Sequence, residues 1–296
     1  MSTDTIVTQP TPQIYIPPKC GMLSEIGDSQ IRLGLQGPGF SGKTTGSLTF
    51  PNPAIVSLNR KVNAHKHRTD VVLIPFHDPK FVAGYASWGQ QEPINRKDAL
   101  IAWLRKEGVK MSPSQSLILD GASDIEESFH SWFSYHEVEL AMSKRSGEID
   151  ERVRWNMAKS YFEELHLCLK SVPCNVIFIC HETAVYDKDG KATGKVRPLL
   201  SGQPGDKFNT NLTDFFRSWA ISKPKTDDER KRFTDKFAMA KTDLGKQYIE
   251  STPSDHETIY LWQTQGDDIV DAGTSSLKGQ PKFILPTYTD FCKYRK

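Results

Sequence analysis

The chain of 296 residues has no apolar run approaching the length that crosses a bilayer, and no charged-then-apolar leader where it begins, MSTDTIVTQPTPQ. These absences argue against a membrane span and a secretory signal, and a cytoplasmic protein is expected. Net charge is nearly absent too: 38 Lys+Arg stand against 36 Asp+Glu, a formal +2, so no global field draws the chain to nucleic acid or to a membrane. Any such contact has to come from a local patch. Cysteine is scarce, five residues scattered at Cys20, Cys168, Cys174, Cys180 and Cys292, which is no disulfide framework and fits reduced thiols. The spacing of Cys174, Cys180 and His181 matches no familiar zinc pattern. Neither an internal repeat nor a coiled-coil heptad is visible.

What the chain does have is the balance of a folded soluble protein, 37% hydrophobic and 25% charged. Residues 1–29, rich in Thr, Pro and Gln, read as an extended arm whose QIYI adds an edge strand, or else as a free tail. From Gln30 the pattern alternates. QIRLGLQ, PAIVSLN, DVVLIPF, SLILD and NVIFICH read as strands. KTTGSLTF, NRKDALIAWLRKEG, DIEESFHSWFSYHEVELA and DERVRWNMAKSYFEELHLCLKS read as helices. Strands alternating with helices predict an α/β fold with a mostly parallel twisted sheet covered on both faces. Later, FFRSWAIS, DKFAMAKT and ETIYLWQTQ read as further strands, with the charged KPKTDDERKRF as a connector. The expected organisation is an arm at 1–29, a core at 30–225, and a continuation of the sheet at 226–296.

One stretch carries chemistry directly. GPGFSGKTT, spanning Gly37, Pro38, Gly39, Phe40, Ser41, Gly42, Lys43, Thr44 and Thr45, meets the pattern G-x-x-x-x-G-K-[ST] between a predicted strand and a predicted helix. Its glycines let successive N–H groups turn inward as a nest for phosphate oxygens, and a helix start aims its positive end at the same place. Lys43 would reach the β- and γ-phosphates, the Thr44 hydroxyl would ligate Mg²⁺, and Thr45 would sit near the α-phosphate. Mg²⁺ held this way calls for a carboxylate at a strand end, and Asp120 closes SLILD. No N-K-x-D guanine reader is present, which favours ATP.

With GPGFSGKTT, FPNPAIVSLN, LILD and NVIFICHE in hand, the chain resembles the RecA-like P-loop ATPases of phages and prophages, AAA-type nucleotide-binding proteins that include single-strand annealing recombinases. The resemblance runs from Gln30 to Ile221. It implies a catalytic set of Lys43, Asp120 and His181, with His181 as a polar sensor of the γ-phosphate. It implies that the segment after His181 contacts single-stranded DNA, and ETAVYDKDGKATGKVRPLLSGQPGDKFNTNL supplies Lys188, Lys191, Lys195 and Arg197 among glycines, a composition able to follow a phosphate backbone. The alternative for that long segment is a solvated hairpin. A second basic stretch, NRKVNAHKHR, is either a nucleic-acid contact or a solvated face. The family pattern further implies a homo-oligomeric ring or filament, completed across each interface by a basic finger, for which Lys278 and Lys282 stand in the right region. If phage-encoded, the protein would work in the host cytoplasm beside phage replication or recombination proteins.

One departure bears on turnover. Where the family places an acid after the second strand, this chain has Asn59, Arg60 and Lys61. Glu126, Glu127 and Glu182 are the substitutes the sequence offers, and spacing selects none. Three classes of function follow: an ATPase acting on single-stranded DNA, a slow or non-hydrolysing assembly factor such as a helicase loader or virion-associated component, and a P-loop small-molecule kinase. The kinase suffers from having only Arg197 in the segment that would be its lid.

Overall fold

The computed structural model describes residues 30–85, 96–135, 151–200, 212–252 and 258–295. The proposed arm with its QIYI strand lies outside these residues, as do Cys20 and part of the segment after His181.

Five short strands build the centre: β1 (Arg32–Gln36), β2 (Pro53–Ser57), β3 (Val72–Ile74), β4 (Ser116–Asp120) and β5 (Asn175–Ile179). The sequences of β2, β4 and β5 are near-continuous apolar runs because both faces of the parallel sheet are covered there, while β3, at the sheet edge, leaves Val72 and Leu73 exposed. Two more elements, β6 (Glu182–Tyr186) and β7 (Ala192–Pro198), form a separate two-stranded sheet, and β8 (Asp214–Ser222) returns to the main one. There β9 (Thr258–Gln263), β10 (Gly273–Thr274) and β11 (Phe283–Ile284) complete nine strands. The path is β11-β9-β8-β1-β5-β4-β2-β3, with β10 beside β8. From β8 to β3 all neighbours are parallel, while β9, β10 and β11 pair antiparallel. This is the mostly parallel, helix-flanked α/β core the sequence predicts.

Register decides where the site lies. Leu35 pairs with Ile179, Ile179 with Asp120, and Asp120 with Ser57. The residues that follow these positions, Gly37, His181, Gly121 and Asn59, therefore emerge along one edge, at the carboxyl ends of parallel strands, where open α/β sheets bind ligands.

Helices cover both faces. On one, α2 (Pro79–Ala83), α3 (Arg96–Lys106), α4 (Ala122–Tyr135) and α5 (Glu151–Ser171) bury Val82, Leu100, Leu104, Ile125, Leu165 and Leu169 against Val56, Leu119 and Phe178. On the other, α1 (Lys43–Ser47) and the last helix, Tyr288–Tyr294, close over Leu33, Leu35, Ile118 and Ile177. Trp262 is fully buried there among Phe50 and Phe216, with Phe291 packed on both phenylalanines. Truncating a side chain of that size in a core costs about 3–5 kcal/mol.

Two sequence expectations need correction, and for the segment after His181 the hairpin alternative describes the backbone. KPKTDDERKRF is not a connector but contains a helix, Asp227–Lys236, started by a capping box in which Thr226 and Glu229 bond each other's backbone N–H. DKFAMAKT is not a strand: Ala238–Lys241 is a 3-10 turn, and the apolar Phe237 and Met239 pack with Phe233 under β9. ETAVYDKDGKATGKVRP is a hairpin, turned at Asp187–Lys191 with Gly190 at φ 75°. Among the described residues no helix is long and apolar enough to cross a membrane, and no cluster of His, Cys, Asp or Glu suits a metal. Cys168, Cys174 and Cys180 are buried and unbridged, and burial pushes the Cys180 thiol up to about 12.

Candidate functional site

The phosphate loop leaves β1 at Gln36 and enters α1 at Lys43. At Gly42 φ is 78°, and a Cβ there would stand 2.5 Å from the Tyr260 ring, so both backbone and packing demand glycine. A Cβ on Gly37 would stand 2.7 Å from the Ser218 carbonyl oxygen. The Ser218 hydroxyl in turn donates to the Ser41 carbonyl at 2.6 Å. Strands β8 and β9 thus support the loop from below. At its exposed tip, Phe40 adopts φ 59°, a left-handed conformation that costs a non-glycine residue roughly 1–2 kcal/mol. Pro38 and Gly39 are exposed beside it.

Lys43 folds back into the loop. Its Nζ donates to the carbonyls of Gly37 at 2.8 Å and Pro38 at 2.6 Å, and to Ser41 Oγ at 3.3 Å, leaving the residue only 6% exposed. A positive charge is thereby stored inside the loop. Thr44 Oγ1 donates to Asp120 Oδ2 at 3.0 Å, joining α1 to the end of β4 across 76 residues of sequence. Burial pushes the Asp120 carboxyl above the usual carboxylate range, and the Thr44 hydrogen bond and the Lys43 charge only partly offset it. A desolvated carboxylate beside a hydroxyl is a pair of hard oxygen donors, the chemistry Mg²⁺ selects. The residues present therefore fit a phosphate-bearing ligand with Mg²⁺. Thr45 is exposed on the same helix turn.

His181 lies close enough to Asp120 to act electrostatically on that carboxylate. Its carbonyl accepts the Leu199 N–H at 2.7 Å, and the Leu199 carbonyl accepts the Ser123 hydroxyl at 2.9 Å. The end of the β6–β7 hairpin is thus fastened both to His181 and to the first turn of α4, which follows Asp120. At the hairpin's start, Glu182 grips Arg217 on β8 with two hydrogen bonds of 2.7 and 2.8 Å, and the guanidinium lies 4.0 Å from the Trp219 ring centroid.

The three acids offered as substitutes for Asn59 fare differently. Glu182 is committed to Arg217, Glu127 is exposed on α4, and Glu126 is buried with His130 at 3.8 Å. The acid that sequence reading missed is Asp124. Its Oδ2 accepts the Asn59 amide at 2.7 Å, and it lies one helical turn beyond Asp120, whose pKa its charge helps to raise. A capping-type acid in the first turn of α4 was the only local signal.

Lys188 and Lys191 occupy the hairpin turn, exposed, while Lys195 and Arg197 alternate along β7 and so share one face, Lys195 exposed and Arg197 half-buried. Of the second basic stretch, Arg68 is paired with Asp70 at 2.6 Å. The two tail lysines differ: Lys282 is held by Asp267 at 2.9 Å, and Lys278 is exposed, its backbone N–H donating to the Tyr294 carbonyl. Among the described residues no hydrogen bond joins either lysine to the phosphate loop.

The model of the AAA domain family matches residues 29–217, well over half of the chain. No curated protein matches. Solved structures with similarity include the assembled ATPase EscN from the type III secretion system of enteropathogenic E. coli, at 16% identity over 64% of this chain and 43% of that one, with a TM-score of 0.35. The RadB recombinase matches at 12% identity over 65% of this chain and 76% of that one, with a TM-score of 0.33. The match thus spans less than half of the EscN chain. With its phosphate loop at the carboxyl edge of a mostly parallel sheet, the chain belongs to the AAA domain family of P-loop ATPases.

Proposed function

We propose that this protein binds ATP with Mg²⁺, hydrolyses it, and acts on single-stranded DNA in phage recombination or replication as a homo-oligomeric ring or filament. The observation that carries the reading is the fastening of the basic hairpin, through Leu199, to His181 and to Ser123 just beyond Asp120. A change at the nucleotide then has a short covalent and hydrogen-bonded route to Lys188, Lys191, Lys195 and Arg197.

In this scheme the backbone of Gly37 to Thr45 and the Lys43 ammonium bind the phosphates, and Thr44 and Asp120 hold the metal. Bound Mg²⁺ would neutralise charge on the transferring phosphoryl group. Asp124, oriented by Asn59, takes the place of the missing acid and positions the attacking water. His181 senses the γ-phosphate. Lys278, exposed and without an ion pair among the described residues, serves as the finger toward a neighbouring subunit, while Lys282 is engaged within its own chain.

A second reading, a slow-turnover assembly factor such as a helicase loader, is favoured by one observation, the neutral Asn59 where an acid is expected. The first reading is tested by reciprocity: ATP must tighten single-stranded DNA binding by the same factor by which DNA tightens ATP binding. Two ligands that bind without mutual effect remove it.

A further inference from the structure

Gln36, the residue immediately before the phosphate loop, is fully buried, and neither polar atom of its side-chain amide has a hydrogen-bond partner among the described residues. Leaving a buried amide unsatisfied forfeits the hydrogen bonds it had with water, so such a group calls for a ligand or water. Gln36 lines a cavity of about 340 Å³, toward the lower end of the roughly 300–1,000 Å³ typical of small-molecule sites.

The cavity is distinct from the phosphate loop. Along β1 the side chains alternate: Leu33 and Leu35 belong to the cluster beneath α1, so Gln36 faces the opposite side of the sheet, where Phe215 also lines the cavity. One wall is the hairpin, through Val185, Lys195, Arg197 and Pro198. The other is the turn at Asp267–Asp271, built by Asp267 Oδ1 accepting the N–H groups of Ile269 and Val270. The two walls are joined by the Val196 N–H donating to the Ile269 carbonyl at 2.8 Å.

The chemistry is asymmetric. A planar amide, offering a donor and an acceptor side by side, matches the edge of a heterocycle that presents the complementary pair, as amides do with adenine. The apolar parts of Val185, Pro198 and Phe215 suit the faces of a ring. Cations line the hairpin wall only, and the opposite wall carries Asp268 and Asp271, which would repel an anion. A neutral planar body with an anionic tail on the hairpin side is a nucleotide unit.

We propose that this cavity is a nucleobase site, filled by one base of a strand whose phosphates run along Lys195, Lys191 and Lys188; the strand as source rests on the function proposed above. Because the amide is fully buried, an entering base displaces a lining side chain, and it then touches the residue covalently joined to Gly37. Base occupancy thereby reaches the phosphate loop by a route separate from His181.

The test uses the full chain with three probes: a labelled homopolymeric deoxyadenosine oligonucleotide, an abasic strand of the same length, and free deoxyadenosine. Anisotropy should show the intact strand binding roughly tenfold tighter than the abasic one, as expected for one base held by stacking and edge contacts. Gln36→Leu, which keeps volume and removes both polar atoms, should collapse that ratio toward one without weakening MgATP binding. Val185→Trp, filling the cavity from the other strand, should do the same and guards against a folding defect in the first variant. Equal binding of the two strands, with no deoxyadenosine uptake, overturns the base site while leaving strand binding standing. If neither strand binds but deoxyadenosine titrates into the wild type and not the variants, the site holds and the strand is removed as its source. Absence of binding by all three probes overturns both.

Discussion

The Asn59 amide donates to Asp124 Oδ2 at 2.7 Å, tying the end of β2 to the first turn of α4 across 65 residues of sequence. The position expected to carry an acid instead carries the residue that orients one. Asp124→Asn keeps the shape and removes the charge, so phosphate release should fall about 100-fold or more while MgATP affinity stays within a few-fold. Asn59→Ala, which frees the carboxylate without removing it, should have a smaller effect. An Asp124→Asn variant that turns over at the wild-type rate would exclude this residue from the chemistry.

Glu182 and Arg217 form a largely buried pair, their side chains 10% and 11% exposed. Removing one partner of such a pair leaves the other charge uncompensated and costs about 3–5 kcal/mol, whereas replacing both by apolar groups is often neutral. Urea denaturation should therefore show Glu182→Gln clearly destabilised and the Glu182→Leu, Arg217→Met double variant recovering most of the loss. Because this pair anchors the hairpin's start to β8, the single variant should also weaken single-stranded DNA binding. A Glu182→Gln midpoint equal to wild type would refute the buried-pair argument.

His166 is half-buried on α5, its ring 6.1 Å from that of Phe178 and nearly parallel to it. Burial first, and Lys170 second, lower its pKa from 6.5 to about 4. The folded state thus disfavours the proton that the unfolded chain accepts. Its contribution is complete above the unfolded value near 6.5 and is lost as pH falls through about 4. After allowance for residual exposure this amounts to about 1–3 kcal/mol. Carboxylate titrations are common to both proteins, so His166→Gln should show a shallower fall in unfolding free energy between those values; identical pH profiles would contradict it.

Much of this was written locally. The phosphate loop is a short-range pattern whose glycines are required by Tyr260 and Ser218, and the parallel strands announce themselves as apolar runs. Even the helix at Asp227–Lys236 carried its signal, the T-x-x-E box of Thr226 and Glu229, inside a stretch whose charge suggested a connector. In DKFAMAKT, Phe237 and Met239 are both buried two residues apart, which mimics a strand although the backbone turns. What the sequence could not disclose was non-local. That β5 lies between β1 and β4, that Asn59 reaches Asp124, and that Gln36 is sealed behind a hairpin all follow from strand order, to which no local spacing corresponds.

Steady-state phosphate release from MgATP, measured with and without single-stranded DNA for the wild type and for Lys43→Ala, probes the proposed coupling at its source. Release should be stimulated by DNA in the wild type and lost in the variant under both conditions, because the ammonium stored in the loop at Gly37 and Pro38 is the charge that meets the phosphates. Release that is indifferent to DNA, or unchanged by removal of Lys43, would contradict it.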